Sequence, residues 1–188
     1  MSKITTRFIA TSMAFLLFSG IGVAQAAKFK IGDRGPGGGI IFYVEQAPRT
    51  RGFTYLEVTP TDISASSVWC DDSPGLLGGA TAWQTQPLGS GSNATSAMST
   101  KCGAGAANMA ENYVSSTGKS DWYLPAASEA MWIRPALLSV GKGFPDSNIW
   151  TSSEFDGHLA WMTDLRTGGQ HLDYKRHAWA VRAIRKFR

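Results

Sequence analysis

The feature that most constrains this chain is an aromatic run closed by proline, Asp121-Trp122-Tyr123-Leu124-Pro125. Proline lacks the N–H that a ladder needs, so the run reads as a short strand that stops at residue 125. A helix is expected next, from about Ala126 to Val140. Ala130, Ile133, Leu137 and Val140 share one apolar stripe, Glu129 sits in the first turn, and Gly141 supplies a stop. Pro135 inside this helix should kink it. Short strands follow near Ile149–Ser153, Leu159–Leu165, Gln170–Tyr174 and Trp179–Phe187, with Gly157, Gly168-Gly169 and the Lys175–His177 corner as turns.

Upstream, Gly35-Pro36-Gly37-Gly38-Gly39 precedes Ile40-Ile41-Phe42-Tyr43-Val44. A phosphate-binding loop would need a helix after its glycines. A β-branched and aromatic run follows instead, so the glycines form a turn into a buried strand. Tyr55–Thr59 pairs with that strand as a hairpin. Residues 60–95 read as loop, pinned by Trp69 and Trp83. Met98, Cys102, Ala106, Met109 and Tyr113 give a further helical stripe, weakened at Gly103 and Gly105.

Taken together, Asp121–Pro125, Trp150-Thr151-Ser152-Ser153-Glu154, Trp161 and Val181-Arg182-Ala183-Ile184-Arg185 resemble a bacterial family of secreted domains. That family carries D-W-x-L-P, W-S-S-S-E-like and V-R-x-V-R motifs, is typified by the C-terminal domain of the Legionella collagen-like adhesin, and is related to the C-type lectin fold. The resemblance spans residues 31–187. It implies an α+β, C-type lectin-like domain: two helices, a twisted antiparallel sheet and long loops. It makes Asp121, Trp122, Leu124, Pro125, Glu129, Trp150, Ser152, Ser153, Glu154, Trp161, Arg182 and Arg185 architectural, and Trp132 buried. Where the family has a capping Ser, this chain has Ala126. It also lacks the adhesin's collagen-like repeat.

Residues 1–26 have the form of a signal peptide. Lys3 and Arg7 precede an apolar run from Phe8 to Val23, and Ala24-Gln25-Ala26 offers a cleavage site. Residues 27–188 are then a single exported domain without a membrane span. Removal of Lys3 and Arg7 lowers the net charge from +4 to +2. Two cysteines, Cys70 and Cys102, are expected to pair in an oxidising compartment.

Catalysis finds no pattern. Gly-x-Ser-x-Gly is absent and no acid, base and nucleophile converge. His158, His171 and His177 lack metal-ligand spacing, and Asp62, Asp71, Asp72, Asn148 and Asp156 lack a calcium-loop signature. No cofactor, metal or nucleic acid is therefore expected. Arg166, Lys175, Arg176, Arg182, Arg185, Lys186 and Arg188 face a single acid, Asp173, between residues 165 and 188. Such a cluster attracts polyanions if it lies on one face, while Arg182 and Arg185 alternatively pair with core-edge carboxylates. Ligand contacts in related variable proteins, carried over by the resemblance, fall on His158, Thr163, Arg166, Gln170, His171, Asp173, Tyr174, Arg176, His177 and Trp179. The favoured ligand residues are Arg166, His171, Tyr174, Lys175, Arg176, His177 and Trp179. The expectation is a non-catalytic adhesion domain for a sulfated or acidic glycan. The alternatives are a module that binds an envelope or host surface protein and, third, an enzyme of the formylglycine-generating lineage.

Overall fold

The computed structural model describes residues 28–46, 51–71, 77, 83–143 and 147–188. The expected signal peptide and the side chain of Trp83 lie outside the described residues. The strands are β1 (Ile40–Val44), β2 (Tyr55–Val58), β3 (Ser64–Val68), β4 (Asn148–Glu154), β5 (Leu159–Asp164), β6 (Gln170–Tyr174), β7 (Ala178–Val181) and β8 (Ile184–Phe187). The helices are α1 (Gly91–Lys101), α2 (Ala106–Glu111) and α3 (Ala127–Leu138).

The class is α+β, with two sheets where one was expected. The smaller sheet has the order β1-β2-β8 and the larger β3-β7-β4-β5-β6. The expected β1–β2 hairpin forms, with β1 and β2 antiparallel from Ile40↔Val58 to Val44↔Tyr55. One pairing departs from the antiparallel expectation: β4 meets β7 in parallel at Ile149 and Ala180. Residues 60–95 also hold an unforeseen strand. The polar segment Ser64–Val68 lacks an apolar run, and antiparallel partners on β7 make it a strand.

The last expected strand divides at Arg182-Ala183. β7 stays in the larger sheet and β8 crosses to the smaller one. Both ends of the chain's described core therefore close on the same sheet, because β8 lies against β2 in register from Tyr55↔Phe187 to Val58↔Ile184.

The stripe from Met98 to Tyr113 breaks into α1 and α2, and its glycines show why. Gly105 takes φ 150°, and a Cβ there would lie 2.5 Å from the Trp69 carbonyl oxygen. Cys70 and Cys102 are bonded, stapling the end of β3 to the end of α1. Trp69 and Trp150 lock the same region reciprocally. The Trp69 indole donates to the Thr151 carbonyl at 2.7 Å, and the Trp150 indole donates to the Ser67 carbonyl at 2.8 Å.

In α3, Ala130, Ile133 and Leu137 are buried as the stripe requires. Its N-terminus is capped from a distance. The Ala126 methyl cannot accept a hydrogen bond, and Ser153 Oγ on β4 instead accepts the Ala127 N–H at 2.9 Å. Glu129 completes the first turn by accepting the Ala126 N–H at 2.8 Å.

Candidate functional site

Two of the sequence motifs meet through one buried carboxylate, and the third joins them at Pro125. Glu57 is fully buried on β2, and its oxygens accept the N–H groups of Gly37 (3.0 Å) and Gly39 (3.0 Å). A Cβ on Gly37 would lie 2.6 Å from Glu57 Oε1, so the glycine-rich loop wraps the chain's own anion. Arg185 Nη1 approaches Glu57 Oε1 at 2.9 Å, and Arg185 Nε donates to Asp121. Burial works against the Arg185 charge, but Asp121 and Glu57 outweigh it and raise its pKa. Tyr123 bridges to Ile184, and Ser152 N–H donates to the Pro125 carbonyl at 2.8 Å. Trp122, Leu124, Pro125 and Trp150 are buried in the same region. These contacts give the motif residues a packing role.

A second hub is Glu129, completely buried. It accepts N–H groups of Gly89 (2.8 Å), Gly91 (3.2 Å) and Ala126 (2.8 Å) and the hydroxyl of Tyr123 (3.0 Å). Burial raises its pKa, partly offset by these donors, and burial beside Glu129 pushes the Tyr123 phenol well up.

The basic cluster does not form one surface. Lys175 is a correction: it is buried, its ammonium 2.6 Å from Glu154 and 4.7 Å from the centre of the Trp69 ring. Arg182 is buried against Asp62 at 2.7 Å, and desolvation lowers its pKa despite that partner. With Arg185 also inside, three of the seven cations are interior charges. A charge is tolerated there only with a partner, which accounts for these pairings. Arg166 and Arg176 stay exposed but stand at opposite ends of β6. At ~3.3 Å per residue that strand separates them by roughly 17 Å. Arg166 turns back onto Asp164 at 3.3 Å. His171 is exposed in the middle of β6, opposite Met162.

Tyr174, Arg176, His177 and Trp179 do come together, at the β6–β7 corner. The Arg176 guanidinium lies 4.6 Å from the centre of the exposed Tyr174 ring. Asp173 binds His177 Nδ1 at 2.8 Å and accepts from Trp179 Nε1 at 2.6 Å. Burial alone would raise the Asp173 pKa, but the Tyr174 N–H, Trp179 and His177 outweigh it and hold it low. The corner is small, carries its own acid, and offers one cation–aromatic pair, Arg176 over Tyr174.

The largest surface anomaly is elsewhere, on the outer side of α3. Trp132, expected to be buried, is 45% exposed and lies edge-on to Tyr43, at 5.8 Å between ring centres. Met131 and Leu138 are also exposed, at 39% and 48%, and Pro135 lies between them. Positions 131, 135 and 138 share one helical ridge, with 132 beside it. With Ala130, Ile133 and Leu137 inside, the helix is apolar on both sides. Its two charged residues do little to relieve this: Glu129 is buried and Arg134 donates to the Arg166 carbonyl at 2.7 Å. Tyr43, Val44 and Ile31 extend the apolar surface alongside Trp132 and Ala136 as a groove of about 370 Å³. The periodicity that placed the inner stripe also carried this outer one, hidden because Trp132 was assigned to the core.

Trp161 is half-buried on β5, edge-on to Phe155 at 6.0 Å. Among the described residues, no group of three or more His, Cys, Asp or Glu gathers as metal ligands would. No helix among them is long and apolar enough to cross a membrane.

No family model matches the chain, and no curated protein matches it. Among solved structures, a fimbrial protein from Bacteroides ovatus ATCC 8483 is similar over 74% of this chain, with 12% identity and a TM-score of 0.41. The match covers 37% of that protein's length. Similarity at this level leaves the functional reading to the chain's own residues.

Proposed function

We propose that this chain is a non-catalytic, C-type lectin-like domain of the bacterial envelope or exterior that works by binding another protein through the outer face of α3. The observation that carries this is the ridge of Met131, Trp132, Pro135 and Leu138 on a helix already apolar inside. A helix that is apolar all round belongs between two packed surfaces, and large exposed apolar patches mark contact sites. Aromatic and methionine side chains are the types enriched at such interfaces. The Cys70–Cys102 bond fits an oxidising compartment. The motif order supports the lectin-like assignment, and packing of the motif residues against one another supports an architectural rather than a catalytic role.

A second reading, binding of a sulfated or acidic glycan, rests on Arg176 over Tyr174 at the β6–β7 corner. One exposed cation contributes little, so this corner alone supports only weak, salt-sensitive binding. Co-purification from native envelopes separates the two readings. A Trp132→Ser, Leu138→Ser double variant should lose a protein partner that a Tyr174→Ala, Arg176→Ala variant keeps. Retention by the first and loss by the second would reverse the assignment.

A further inference from the structure

A cleft of about 370 Å³ lies between α1, the loop before it, and β4. Its size is that of a small-molecule pocket. We propose that it binds a neutral sugar carrying an acetamido group. Ala94, Ala97 and Met98 of α1 line the cleft with small and flexible apolar groups, and Pro87 and Ala126 add to that apolar lining. Such a surface accepts the acetamido methyl. Asn93, at the exposed start of α1, brings an amide able to donate to the acetamido carbonyl and accept from its N–H.

Two serine hydroxyls in the cleft wall are withdrawn from solvent and unsatisfied. Ser152, 5% exposed, and Ser90 both line the cleft, and neither Oγ has a hydrogen-bond partner among the described residues. Buried polar groups are ordinarily satisfied, so these two stand out. Ser152 belongs to the Trp150–Glu154 motif, yet its hydroxyl plays no part in the packing that explains Ser153 and Glu154.

The electrostatics select a neutral ligand. Among the described lining residues the ionisable group is Glu154, already engaged by Lys175 Nζ at 2.6 Å and by the Leu77 N–H at 2.8 Å. That neutralised pair offers no cation to a sulfate or carboxylate. The cleft is thus distinct from the α3 face and from the Arg176 corner, and its ligand is of a different class from either.

The test titrates N-acetylglucosamine and its linear trimer into the isotopically labelled protein, with glucose and a heparin-derived disaccharide beside them. Saturable amide shifts at Asn93, Ala97 and Ser152 are expected with the acetamido sugars and not with the other two. Ala97 is an exposed helical position, so Ala97→Trp should fill the cleft without unfolding the chain. It should weaken the trimer by about tenfold or more. Asn93→Ala should weaken the acetamido sugars while the melting temperature holds, and Trp132→Ser should leave them unaffected. Absence of saturable shifts, equal binding of glucose, or binding indifferent to Ala97→Trp and Asn93→Ala would each overturn the proposal.

Discussion

The Lys175 ammonium lies 2.6 Å from the Glu154 carboxylate, with both side chains almost fully withdrawn from solvent. Glu154 also holds the Leu77 N–H through both oxygens, at 2.8 and 2.9 Å. Lys175→Met would keep the stem's packing and remove the charge that stabilises Glu154. Loss of one partner of a buried ion pair costs about 3–5 kcal/mol. Pairing it with Glu154→Gln should recover most of that loss, since the second charge is then gone too. Urea unfolding of the two single variants and the double variant measures the coupling. Additive losses would mean the two groups do not interact as described.

Glu129 should give the chain a distinctive pH signature. Its carboxyl is raised by burial above an ordinary value of 4.5. A raised folded pKa stabilises the fold fully below the unfolded value and loses that stabilisation as pH rises through the folded one. The stability of the wild type relative to Glu129→Gln should therefore grow as pH falls from 7 toward about 4.5, then level off. Thermal melts at matched ionic strength test this. A difference that shrinks on acidification would place a stabilised carboxylate there instead.

Asp121 and Glu57 share Arg185 but should differ in consequence. The Asp121 side chain is 58% exposed, whereas Glu57 is fully buried. Asp121→Ala should cost no more than about 1 kcal/mol, the range of an exposed pair. Glu57→Ala also strands the Gly37 and Gly39 N–H groups and should cost about 3 kcal/mol or more. Equal losses in chemical denaturation would contradict the assignment of Glu57 as the centre of the network.

The Cys70–Cys102 bond spans a sequence separation of 32 residues. Chain-entropy arguments give such a closure about 3–4 kcal/mol. Reduction should lower the melting temperature while leaving the far-ultraviolet signal of the sheets in place. Two titratable thiols in the purified, unreduced protein would contradict the bond.

What was legible in the sequence was mostly local. A β-branched and aromatic run placed the β1–β2 hairpin, flanking turns placed β6, and the Ala130–Ile133–Leu137 spacing placed α3. Long-range partners were not legible. Nothing local marks Ser64–Val68 as a strand, because its partners on β7 lie more than a hundred residues away. The late basic residues misled for a related reason. Their number is visible in sequence, but Lys175 and Arg182 are directed inward by Glu154 and Asp62, distant in the chain. Glu57 had left a sign of its burial, a lone acid between Leu56 and Val58. The motif beside Trp132 points it inward, whereas helical spacing sets it about 100° from Ile133 and about 140° from Leu137, off the buried stripe.

The most direct test of the α3 face is site-specific photo-crosslinking in cells of the native host. A photoreactive residue would replace Trp132, Met131 or Leu138 in turn, with Lys119, exposed elsewhere, as the control. The account predicts one protein adduct of the same mass from all three α3 positions and none from position 119. No adduct from α3, or equal adducts from position 119, would contradict it.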